Sequence, residues 1–107
     1  VAKRDVRGLW TALQDNRIPV TIDIDTLNPD GTFNVEAQHS NGSVTGNGNG
    51  RVTDRDIHFR IPWNNGTEGA YNGAFTPEGR INGATFDVKH PNNVTGWHSS
   101  KDFPLIP

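Results

Sequence analysis

Apolar residues recur at every second position along most of this chain. The pattern is clearest from Asp56 to Val88, which reads DIHFRIPWNNGTEGAYNGAFTPEGRINGATFDV. In a first run Ile57, Phe59, Ile61 and Trp63 fall on one side, with His58, Arg60 and Pro62 on the other. Tyr71, Gly73 and Phe75 share a side in a second run, and Ala84, Phe86 and Val88 share one in a third. Asn64-Asn65-Gly66 and Pro77-Glu78-Gly79 supply the turns between them. Period-two alternation broken by Asn-Gly and Pro-x-Gly predicts an antiparallel meander with one buried face.

The flanking sequence continues in the same grammar. A first strand is expected from Val6 through Leu13, with a turn at Gln14-Asp15-Asn16. A second runs from Ile18 to Asp25, with Ile18, Val20, Ile22 and Ile24 inward and Thr21, Asp23 and Asp25 outward. Pro19 lacks an N–H, which places it at the strand's start or on an unpaired side. Asn28-Pro29-Asp30-Gly31 turns the chain into a third strand with Phe33, Val35 and Ala37 inward, and Ser40-Asn41-Gly42-Ser43 ends it. The fourth, Val44 to Val52, carries glycine at 46, 48 and 50, so one of its faces is empty. Such a strand bends sharply, or lets a bulky neighbour such as Trp63, or a ligand, approach its backbone. His90-Pro91-Asn92-Asn93 is expected to turn into a last strand, Val94 to Ser99. Residues 1–5 read as a loose polar terminus, with Lys3-Arg4 as two solvated charges, and 101–107 as a proline-containing tail. Eight strands spaced by about 10 to 14 residues predict an all-β, antiparallel, eight-stranded up-and-down β-barrel, with a β-sandwich as the alternative.

Composition narrows this further. The 107 residues form a single domain, which buries roughly two-thirds of its unfolded surface. Hydrophobic content is 32% beside 12 glycines and 7 prolines, which suits short strands with one polar face. There is no cysteine, which removes disulfides, thiol catalysis and thiolate zinc sites. A net charge of −2 favours neither nucleic acid nor an anionic membrane. No apolar run approaches the roughly 18 residues of a membrane helix, and no signal peptide is visible, so any leader is expected to have been removed or left out.

Several short motifs resemble the avidin and streptavidin family. Gly8-Leu9-Trp10-Thr11 resembles the segment that opens the family's first strand, and Phe59 to Asn65 its fifth strand with the following loop. Residues 69–75 and 79–86 fall where strands six and seven would be. Val94 to Ser99 falls near the tryptophan before the last strand, and Lys101-Asp102-Phe103 near an Asp-x-Phe-like segment. The resemblance implies an eight-stranded barrel with a ligand at one end and Trp63, Trp97 and Asp102 retained. Tyr71 and Phe86 stand where the family has tryptophans, and Ala37 and His39 where it has a biotin-binding tyrosine and serine. Without that polar cage an apolar slot remains, and biotin is not the expected ligand. The short final strand argues against the family's tetramer; homo-oligomerisation of another kind is left open.

Catalytic chemistry finds little support. The four histidines (His39, His58, His90 and His98) have no metal-ligand spacing. Asp23 and Asp25 share an outward face, unlike a glycosidase pair across a cleft. The serines lie in turns without a nucleophile elbow, and Gly46 to Gly50 lacks the lysine of a phosphate loop. No catalytic residue, metal or cofactor is therefore expected. The aromatic residues are the site candidates: Trp10, Trp63, Tyr71, Phe86 and Trp97, with Asn65 and Asp102, lining or capping one end of the barrel. Rings beside carboxamides also suit a lectin-like site, although the same rings can simply fill a core. Asn41, Asn65 and Asn93 head Asn-x-Ser/Thr triplets in expected turns and are candidate glycosylation sites. The expectation is a secreted, non-catalytic module holding a small molecule or glycan at the barrel's open end. The alternative is a filled barrel that binds a protein partner, as a protease inhibitor or host-interaction factor does.

Overall fold

Eight of the alternating runs close on one another in sequence order. The computed structural model describes residues 3–106; Val1, Ala2 and Pro107 lie outside them. Its strands are β1 (Lys3–Arg4), β2 (Gly8–Gln14), β3 (Val20–Ile24), β4 (Thr32–His39), β5 (Val44–Val52), β6 (Asp56–Pro62), β7 (Glu68–Phe75), β8 (Arg80–Asp87), β9 (His90–Asp102) and β10 (Leu105–Ile106). Strands β2 to β9 form a closed barrel, each antiparallel to the next, with β9 returning to β2 through Ala12↔Ser99 and Gln14↔Trp97. The fold is thus the up-and-down barrel, not the sandwich. Closure leaves no long free edge. Loops 15–19, 40–43, 63–67 and 88–89 gather at one end, the mouth. Loops 25–31, 53–55 and 76–79 gather at the other.

The inward phase follows the aliphatic and aromatic pattern in most strands. Ile22, Ile24, Phe33, Val35, Ile57, Phe59 and Ile61 are all buried. Phe59 stacks on Tyr71 at 4.9 Å with their planes 4° apart, and Trp97 meets both rings edge-on. Trp10 bridges Trp97 (6.4 Å) and Phe103 (5.0 Å), and Phe103 reaches Phe75 at 6.3 Å. The lumen is therefore occupied by a chain of rings from mid-height to the end opposite the mouth.

Four expectations need correction. The second strand starts at Val20, and Ile18 is 40% exposed in the preceding loop. There Asn16 Oδ1 accepts from the Ile18 N–H and Gln14 Nε2 donates to the Ile18 carbonyl. In β8 the phase is the reverse of the expected one: Ile81, Gly83 and Thr85 face in, whereas Ala84 and Phe86 face out and Val88 lies in the turn. Close packing leaves no room for side chains at the paired Gly73 and Gly83: a Cβ at Gly83 would run into the Asn72 carbonyl and lie 2.9 Å from Trp97 Nε1, and one at Gly73 would lie 2.5 Å from the Ile81 side chain and 3.3 Å from the Trp97 ring. The third correction concerns His90 to Asn93, which belong to β9 rather than to a turn. A two-residue turn at 88–89 precedes them, and an irregularity between Phe86 and Asp87 absorbs the extra length.

The fourth lies at the chain's ends. Lys3 pairs with Ile106 and Arg4 with Leu105, so the terminus expected to be loose forms a two-stranded ribbon. Lys101 and Asp102 finish β9 instead of opening a tail. Arg4 Nη1 donates to the Phe103 carbonyl at 2.9 Å, and the Asp5 N–H to that of Pro104 at 2.8 Å. These bonds hold Phe103, 1% exposed, in the barrel's closed end.

The glycine row of β5 is filled by neither Trp63 alone nor a ligand. A Cβ at Gly48 or Gly50 would run into the carbonyl of Arg60 or His58, and one at Gly46 would stand 2.6 Å from the Pro62 carbonyl and 2.7 Å from the Ile61 side chain. The backbone of β6 folds over β5 at a sharp corner that only glycine admits.

Candidate functional site

The mouth is built from the last inward position of each strand. Gln14 ends β2, His39 ends β4, Val44 opens β5, Trp63 follows β6, and Gly69 opens the inward row of β7. One level below, Tyr71 pairs with Thr85 and Thr85 with Thr95 across β7, β8 and β9. Aromatic and polar side chains thus meet where the hydrophobic stack stops.

Trp63 is held by three strands' worth of contacts. Its backbone N–H donates to the Thr67 carbonyl at 2.8 Å, closing the loop, and it forms an isolated bridge with Gly46. The His39 imidazole meets its ring edge-on at 4.8 Å, and His39 Nδ1 lies 2.9 Å from Ser40 Oγ. Partial burial against the indole holds the His39 pKa below the ordinary histidine value.

Across the lumen, the Tyr71 hydroxyl donates to Gln14 Oε1 at 3.0 Å, tying β7 to β2. Burial pushes the phenol up to about 12, the Thr85 hydroxyl beside it offsetting a part of that rise. Trp97 Nε1, packed against Gly83 of β8, is buried without a hydrogen-bond partner. A buried donor left unpaired is costly, and in a core it marks a place where an acceptor would be welcome.

Of the residues singled out from the sequence, Trp63, Tyr71 and Trp97 converge at or just below the mouth. Trp10 lies deeper, with its Nε1 donating to the Val6 carbonyl at 3.1 Å. Asn65 is exposed in the loop after Trp63, where its Oδ1 accepts from the Thr67 hydroxyl at 2.6 Å and from the Thr67 N–H at 3.1 Å. Phe86 stands on the outer wall, beside Arg60, Ala70 and Asn72 in a shallow groove. Asp102 is at the opposite end, paired with Arg80 at 3.1 Å. Gln14, His39 and Thr85 were not among the candidates. They continue the inward phase of their strands as polar residues, and the resemblance had marked His39.

Elsewhere the chemistry is dispersed. Among the described residues no three His, Cys, Asp or Glu side chains stand together as metal ligands, and no helix is long and apolar enough to cross a membrane. His58 lies on the outer wall with its Nδ1 2.7 Å from Asn72 Oδ1, and His90 is 3.3 Å from Asp87. Asn41 and Asn65 are exposed in mouth loops, whereas Asn93 is exposed in β9 at its irregular start and not in a turn.

No protein-family profile matches the chain, and no curated protein matches it. Solved structures do. Apo shwanavidin is similar with a TM-score of 0.66 and 14% identity, over 92% of this chain and 98% of that one. A shwanavidin variant in complex with biotin gives 0.65 and 14%, over 89% and 96%. A redesigned β-barrel bound to DFHBI gives 0.63 and 15%, over 88% and 92%. At such identities the likeness is one of fold: an avidin-like eight-stranded barrel.

Proposed function

We propose that this avidin-like barrel is a non-catalytic binding module that takes a small or sugar-like ligand at its mouth, against Trp63, Tyr71 and Trp97. The observation that carries the reading is the convergence there of the Trp63 indole and the Tyr71–Gln14 phenol–carboxamide pair at the top of an otherwise apolar stack. Rings offer flat apolar contact, and Gln14, His39, Tyr71 and Thr85 offer the few polar groups that orient a ligand. The similarity to barrels solved with biotin and with DFHBI supports the same end use of the fold. The stack below Tyr71 restricts the ligand to the rim, unless it breaks the Tyr71–Gln14 bond and enters. Biotin remains outside the expected ligands, because Ala37 and His39 replace its polar contacts.

Thermal melts with biotin and with a panel of neutral glycans test this. A ligand at 100 times its Kd adds about 2.7 kcal/mol, a rise of several degrees for a domain of this size. A glycan-dependent rise that disappears in Trp63→Ala supports the reading. A rise with biotin would restore the function that the departures argue against. If nothing shifts the melt, the second reading gains: a protein-binding module, favoured by the filled lumen and by Leu9 and Val94, 69% and 59% exposed on the outer wall. Secretion accompanies either reading, with Asn41, Asn65 and Asn93 as glycan acceptors around the mouth. Expression through a eukaryotic secretory pathway, followed by glycosidase digestion, tests those three sites.

A further inference from the structure

Six asparagines in this chain precede glycine, at 41, 47, 49, 65, 72 and 82. Asparagine is a thermolabile residue, and a following glycine has no side chain to shield its nitrogen. The fold divides the six. Asn47 and Asn49 lie in β5, Asn72 in β7 and Asn82 in β8, where extended backbone is fixed in the ladder of a closed barrel. Asn41 and Asn65 lie in mouth loops, both exposed.

Asn65 differs from Asn41 in its backbone, since Asn41 stands at φ +58° and Asn65 is outside the left-handed region, and in the donors to its carboxamide. The hydroxyl and N–H of Thr67 both donate to Asn65 Oδ1, at 2.6 and 3.1 Å, which polarises the carboxamide in a turn that spans Gly66. Among the described residues Asn41 has no such donor on its carboxamide. The Gly66 N–H makes only a long bond, 3.2 Å, to the Trp63 carbonyl, and Gly66 has open space around it at φ +87°.

We infer that Asn65 is a site of spontaneous deamidation, set by Thr67, at which the folded protein acquires a carboxylate beside Trp63. The Gly66 nitrogen, losing its proton to solvent base, attacks Asn65 Cγ and forms a C–N bond. The Cγ–Nδ2 bond then breaks, and Nδ2 takes up a proton and leaves as ammonia. Water opens the resulting imide at Cγ to give aspartate, or at the main-chain carbonyl to give isoaspartate. Nδ2 is also the atom a glycan would occupy, so the two fates of Asn65 exclude each other.

The test is incubation of the bacterially expressed, unglycosylated protein at mildly alkaline pH, folded and in denaturant, with fragmentation mass spectrometry to place each amide-to-acid exchange. In the fold, Asn65 is expected to convert first while Asn47, Asn49, Asn72 and Asn82 stay intact; in denaturant all six should react. Thr67→Val should slow Asn65 in the fold and Thr67→Ser should restore its rate. Neither change touches the core, and each melt verifies folding. Conversion of Asn41 ahead of Asn65, equal rates at strand and loop sites in the fold, no conversion in the fold, or a Thr67→Val rate equal to that of the parent would each overturn the inference.

Discussion

Tyr71 is the chain's one tyrosine, so its phenol can be followed without interference. Its folded pKa of about 12 lies above the ordinary value of 10.0, because burial disfavours the phenolate. The neutral form therefore stabilises the fold fully below pH 10, and this contribution is lost as pH rises from 10 towards 12. Two units correspond to roughly 3 kcal/mol. Absorbance titration of the native protein should place the tyrosinate midpoint at about pH 12, whereas the urea-unfolded protein titrates near 10. A native midpoint near 10 would mean that water reaches the hydroxyl and that the Tyr71–Gln14 closure is absent. His39 gives the opposite edge of the pH range. Its pKa is lowered by burial against Trp63, so the unfolded chain takes up the proton more readily. Stability should then fall as pH drops below the ordinary histidine range, and His39→Gln should flatten that part of the profile. NMR titration of the imidazole checks the direction independently.

Among the elements, β5 and β8 show how far local pattern reaches. The glycine row of β5 announces a close approach in the sequence itself, but the approaching group, the β6 backbone, appears only in the fold. Gly48→Ala should cost about 1–3 kcal/mol by overpacking, whereas Asn47→Ala, on the outer face, should stay within about 0.5 kcal/mol. Urea midpoints of the two variants make the comparison, and equal midpoints would refute the corner. In β8, Ala84 and Phe86 outweigh Gly83 and Thr85 on any hydrophobicity scale, so alternation alone points the wrong side inward. Gly73 and Gly83 together make room for the β7 backbone, the Ile81 side chain and an indole from β9, a three-strand requirement that no local window contains. The same holds for β1, where two charged residues form a strand only because Leu105 and Ile106 arrive from the far end of the chain. Aliphatic strands such as β3, β4 and β6 were legible because one phase was strongly apolar. At the mouth the aromatic members stood out, while Gln14, His39 and Thr85 did not, since a polar residue at an inward position looks like the end of a strand.

At the scale of the whole molecule, the barrel is asymmetric along its axis: plugged by Phe103 at one end, polar and aromatic at the other. Phe103→Ala should remove about 3–5 kcal/mol, as for other large buried rings, and calorimetry should register it as a lower Tm. A near-neutral result would mean that the ribbon of β1 and β10, not the ring, closes that end. That ribbon also fixes where the polypeptide leaves the domain. Lys3 and Ile106 sit opposite one another, so the two ends of the described chain lie side by side at the pole farthest from the mouth. Anything fused there becomes a stalk, and the mouth is presented outward, away from it. A short linker joining the two ends would make a circular backbone, and the chain could then be reopened at the 40–43 loop with the order of barrel strands unchanged.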